Sequence, residues 1–109
     1  MVGNRRAETK EHSILKHLVA SLLERQGHKV HLECLCPDGS IIDVFDETTG
    51  LAYEIQTKHQ PEIERIKLEK YLQWAMVRDV IFIHTKDYPL NCLTKSITYR
   101  DLNKKLGTQ

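Results

Sequence analysis

Asp43 and the run Glu54-Ile55-Gln56 are the residues of this chain best placed to do chemistry. A hairpin folded about Glu47-Thr48-Thr49-Gly50 would set Asp46 opposite Leu51, Phe45 opposite Ala52, Val44 opposite Tyr53 and Asp43 opposite Glu54. Residues facing each other across a strand pair have Cβ atoms roughly 4.5–5.5 Å apart, so two carboxylates would meet at one spot. Ionised, they repel unless a cation stands between them. A hard divalent metal suits that place because it takes oxygen ligands.

The strand that carries Glu54 extends the argument, because side chains two apart point to one face. Gln56, and Lys58 if the strand runs on, then share the face of Asp43 and Glu54, while Leu51, Tyr53 and Ile55 form an apolar face suited to a core. Acids beside a hairpin are often no more than solvated surface charges. The elements around the hairpin therefore decide how it is read.

A helix is expected from about Glu8 to Gln26, where Ile14, Leu15, Leu18, Val19, Leu22 and Leu23 recur at helical spacing and Gly27 stops it. Glu11 extends that buried stripe toward the amino end and becomes a candidate third acid; the alternative is helix-dipole stabilisation in the first turn, where Glu8 competes with it. Lys29 to Cys34 alternates apolar and polar residues as a strand, and Pro37-Asp38-Gly39 turns the chain into the Asp43 strand. A second helix is expected from Pro61 to about Val77. Val80-Ile81-Phe82-Ile83 reads as a strand covered on both faces. Tyr99 to Leu106 is compatible with a short helix packed on the core. The expected class is α/β, with helices and strands in the order αβββαβ, as one domain over residues 1–109.

These residues resemble the PD-(D/E)XK, or restriction-endonuclease-like, nuclease superfamily over roughly residues 8 to 85. The order is an acid on a first helix (Glu11), an Asp on a strand (Ile41-Ile42-Asp43-Val44), a Glu-x-Gln on the next (Glu54-Ile55-Gln56), then a helix and the strand Asp79 to His84. It is most similar to variants with Gln in place of the motif Lys, such as the nuclease domains of CoiA-like competence proteins, and Tyr71 fits that arrangement. Ile42 stands where the motif has Pro, and Gln56 where it has Lys. The resemblance implies a restriction-endonuclease-like core, a central mixed four-stranded sheet flanked by helices, and a metal-dependent DNA endonuclease acting in recombination, repair or DNA processing. Mg²⁺ (or Mn²⁺) would be held by Asp43, Glu54 and the main-chain oxygen of Ile55. Gln56 would orient water, and Lys58 would stand in for the missing cation. The alternative is a nuclease-like fold without catalysis, acting as a DNA-binding or regulatory module.

Composition narrows the rest. Sixteen Lys and Arg against fifteen Asp and Glu give a formal charge of +1, so DNA affinity must come from a local patch rather than bulk charge. Candidate patches are Arg5-Arg6 with Lys10, Lys58-His59, Arg65-Lys67-Lys70 and Lys104-Lys105. A chain of 109 residues offers little surface to grip a duplex, which favours a homodimer. Cys34-Leu35-Cys36 lacks partners at zinc-finger spacing, and the six His are scattered without ligand spacing. A polar, charged start and the lack of any apolar run near ~20 residues argue against a membrane span and for a cytoplasmic protein.

Overall fold

The computed structural model describes residues 9–87. The Arg5-Arg6 and Lys104-Lys105 patches, Glu8, and the short helix expected near Tyr99 lie outside the described residues. The first helix, α1, runs Lys10–Arg25, and Thr9 caps it by accepting the His12 N–H at 3.1 Å. That bond satisfies one of the amides a helix start leaves open, which is why the helix begins at Lys10.

Three strands follow, β1 (Val30–Leu35), β2 (Ile41–Asp46) and β3 (Leu51–Gln56), then α2 (Pro61–Leu72) and β4 (Asp79–His84). The strands form one sheet in the order β1-β2-β3-β4, with β1, β2 and β3 antiparallel and β4 parallel to β3. A parallel pair needs a long crossover, which α2 supplies. The protein is thus an α/β fold with a mixed four-stranded sheet and helices against it. The second helix is shorter than its apolar spacing predicts, ending at Leu72 with turns onward to Met76.

The β2–β3 hairpin has the register expected from its turn: Val44 faces Tyr53, Phe45 faces Ala52 and Asp46 faces Leu51. The turn closes through the Gly50 N–H donated to Asp46 O at 2.8 Å. The fully buried Asp46 carboxylate accepts the Thr48 N–H at 3.0 Å and pairs with His28 Nδ1 at 2.7 Å. Gly50 has φ +80°, and a Cβ there would lie 2.7 Å from Arg78 Cγ. Gly50→Ala should therefore destabilise the fold by about 1–3 kcal/mol, since both the backbone conformation and the space favour glycine. Urea denaturation checks this; an unchanged midpoint would mean the turn relaxes without cost.

The sheet is buried on both sides. Leu15, Val19, Leu22 and Leu23 of α1 pack with Val44, Tyr53, Ile55 and Ile83. Tyr71 of α2 joins Val77, Val80, Ala52, Phe45, Ile42 and Cys36 in a second cluster. Leu51, Tyr53 and Ile55 all belong to the α1 side, as their alternation predicts. β4 contributes to both clusters, Ile81 and Ile83 to one, Val80 and Phe82 to the other, as its unbroken apolar run implies. No helix among the described residues is long and apolar enough to cross a membrane.

Candidate functional site: a buried carboxylate pair

The regular β2–β3 ladder gives way one step beyond the Val44–Tyr53 pair, and the carboxylates of Asp43 and Glu54 take its place. The Asp43 N–H donates to Glu54 Oε2 at 3.0 Å, and the Ile55 N–H donates to Asp43 Oδ2 at 2.8 Å. Each acid thus satisfies an amide on the opposite strand. Both are almost fully enclosed, Asp43 4% and Glu54 3% exposed. The other side of β2 is disturbed at the same level. Glu33, which the β1–β2 register would set opposite Asp43, has φ +52° and takes the buried Lys16 Nζ of α1 at 2.6 Å. A left-handed non-glycine residue costs of order 1–3 kcal/mol and tends to occur where a site constrains the backbone.

Two basic side chains flank the acids, one from each helix. Lys67 Nζ of α2 lies 3.3 Å from Glu54 Oε1, and His12 Nε2 of α1 lies 3.5 Å from Asp43 Oδ2. Burial, and after it the neighbouring Asp43 charge, push the Glu54 carboxyl up to about 7, against the opposing pull of the Asp43 N–H and Lys67. In an extended strand the N–H and C=O of one residue share an edge, so the Ile55 carbonyl faces the same gap as its amide. Gln56 is buried on the face of Glu54, and its Nε2 has no hydrogen-bond partner among the described residues. Tyr71 donates from its hydroxyl to Ile41 O at 3.1 Å, fixing α2 to the start of β2. Burial, then the Glu54 charge, hold that phenol well above its usual range, so it stays a neutral donor.

The raised Glu54 carboxyl has a measurable sign. Its folded-state value exceeds its unfolded one, so the folded protein holds the proton more tightly, and ionisation costs stability as pH rises from about 4.5 through about 7. Metal-free protein should lose on the order of 1–3 kcal/mol between about pH 5 and pH 8 relative to Glu54→Gln, read from denaturant midpoints in chelator. Parallel pH profiles for the two proteins would remove the frustration from Glu54.

The structure places several of the expected side chains differently. β3 ends at Gln56, and Lys58 lies beyond it in an exposed bend, so the strand alternation that would carry it onto the Glu54 face has stopped. Among the described residues, Lys67 reaches the pair from α2. It stands four residues before the buried Tyr71, one helical turn away on the same face, and that spacing is the signal that marks it. On α1, Glu11 is half-buried in the first turn, and His12, at the head of the stripe Leu15, Val19 and Leu22, approaches Asp43. Asp43, Glu54 and Ile55 come together through side-chain to main-chain bonds where the paired ladder ends, with Gln56 two residues on, on the face of Glu54.

A second cluster lies close by. Gln56 pairs in register with His84 of β4, and His84 Nε2 sits 2.7 Å from Glu64 Oε2 of α2. The His59 ring stacks on His84 with centroids 3.6 Å apart. His59 and His84, 25 residues apart in the chain, are therefore adjacent in space. Comparison with protein-family models, with curated proteins and with solved structures finds no match.

Proposed function

We propose that the chain is a metal-dependent endonuclease acting on DNA, built on a restriction-endonuclease-like core. The observation that carries this reading is the Asp43–Glu54 pair, buried together where the β2–β3 ladder opens and faced by Lys67. The αβββαβ order with β4 parallel to β3 supports the same reading.

The residues present fit a hard divalent cation. Two enclosed carboxylates lie together with Lys67 on one side and His12 on the other, the Glu54 carboxyl is raised by burial and by Asp43, and both acids and the Ile55 carbonyl offer oxygen. Asp43, Glu54 and the Ile55 carbonyl would hold Mg²⁺ or Mn²⁺, which supplies Lewis acidity and a bound water of lowered pKa. The chain's own groups do the rest. Lys67 offers a positive charge beside the pair, able to stabilise negative charge that develops on the phosphoryl oxygens. The Gln56 amide has an unused donor to orient water or a phosphate oxygen, but it is neither a base at neutral pH nor a cation. His12 positions Asp43 from α1. A homodimer would supply the surface to grip a duplex.

The test is incubation of purified protein with plasmid, single-stranded and branched DNA across a Mg²⁺ and Mn²⁺ titration. Metal-dependent nicking or linearisation supports the reading. Binding without cutting in either metal would assign the fold to a DNA-binding module instead, the role that Gln56 in place of Lys makes the natural competitor.

A further inference from the structure

We propose that His59, Glu64 and His84 form a second metal site, one for a borderline divalent transition metal such as Zn²⁺, with a fourth position open to water. Three elements bring the ligands together: the loop after β3 carries His59, the first turn of α2 carries Glu64, and the end of β4 carries His84. One ligand atom from each lies within 4.8 Å of the others. Tetrahedral Zn²⁺, with bonds of about 2.0–2.1 Å, needs neighbouring ligand atoms about 3.3 Å apart. The cluster reaches that spacing if the 2.7 Å His84–Glu64 contact opens slightly and the exposed His59 ring turns out of its stack with His84, so that the two imidazole nitrogens converge on one point.

The donor set determines the metal class. Two imidazoles and one carboxylate suit Zn²⁺ and its neighbours, whereas Mg²⁺ prefers an all-oxygen shell. Supports behind the ligands are already in place. Glu64 Oε2 accepts the Gln60 N–H at 3.2 Å, and His84 is 5% exposed at the edge of the packed sheet. The positive end of the α2 dipole works against a cation here, and Glu62 and Glu64 in the first turn offset it. The cluster lies at the carboxyl ends of the parallel pair β3 and β4. Because Gln56 pairs in register with His84, the site would lie one strand step from the carboxylate pair. A bound ion would pin the start of α2, the helix that carries Lys67. The proposal is independent of the nuclease reading.

The experiment is equilibrium binding of Zn²⁺ to tag-free full-length protein in excess Mg²⁺, with the Co²⁺ absorption spectrum as a geometric readout. One equivalent of Zn²⁺ should bind, raise the melting temperature, and give Co²⁺ bands of tetrahedral intensity. His59→Gln, at an exposed position, should weaken binding by at least about 10–100-fold with an unchanged circular dichroism spectrum. Glu64→Gln, which keeps an acceptor for the Gln60 N–H, should do the same. Asp43→Asn and a Cys34→Ser, Cys36→Ser double variant should bind as the parent does. Zn²⁺ affinity unchanged in both His59→Gln and Glu64→Gln, loss of binding only in the cysteine variant, or no stoichiometric binding at micromolar Zn²⁺ would each overturn the site.

Discussion

Asp43→Asn is expected to lower metal-dependent cleavage by on the order of 10²–10³-fold or more while the protein stays folded. Asparagine keeps an oxygen to accept the Ile55 N–H, the bond Asp43 Oδ2 makes at 2.8 Å, yet removes the charge that would hold the cation. Relief of the repulsion with Glu54 should leave metal-free stability at alkaline pH equal to or above that of the parent. Alanine is the less clean substitution. It would leave the buried Ile55 amide without its acceptor, at about 1–3 kcal/mol, and loss of activity would then be confounded with loss of fold. Cleavage by a folded Asp43→Asn protein at the parental rate would remove Asp43 from the site.

Lys67→Met should lower turnover by roughly 10²-fold or more, and Lys58→Met should leave it near the parental rate. The contrast follows from position. Lys67 Nζ is 3.3 Å from Glu54 Oε1, whereas Lys58 is exposed beyond the end of β3. Methionine keeps most of the lysine stem, so the packing of α2 is largely preserved and the change reports on charge. In metal-free protein Lys67→Met also removes the cation that offsets the Glu54 charge, so its stability should fall more steeply with rising pH than that of the parent. The reverse pattern, with Lys58→Met inactive and Lys67→Met active, would return the cationic role to the loop after β3.

Much of the architecture is legible in the chain because it depends on local rules. Helical spacing from Leu15 to Leu23, the alternation around Tyr53, the unbroken apolar run of β4 and the Glu47 to Gly50 turn each place an element within a few residues of where it lies. The errors are also local. Thr9 takes the capping bond and shifts the helix start to Lys10, and α2 stops at Leu72 although apolar residues continue to Val77. Trp74, on that continuation, is only half-buried against the second core cluster.

The two-residue period of a strand and the length of one turn are enough to bring Asp43 and Glu54 face to face, so the heart of the candidate site was determined by sequence alone. What surrounds it was not. Whether Lys58 or Lys67 reaches Glu54 depends on where β3 ends and how α2 lies on the sheet, and both are set by packing between residues distant in the chain. Glu11 and His12 are adjacent, so a small rotation of α1 about its axis decides which meets Asp43, and the burial of Leu15, Val19 and Leu22 sets that rotation. His59, Glu64 and His84 have no common period or motif. Only the parallel pairing of β4 with β3 across α2 makes them neighbours, because a long-range contact of that kind leaves no regular spacing in the sequence.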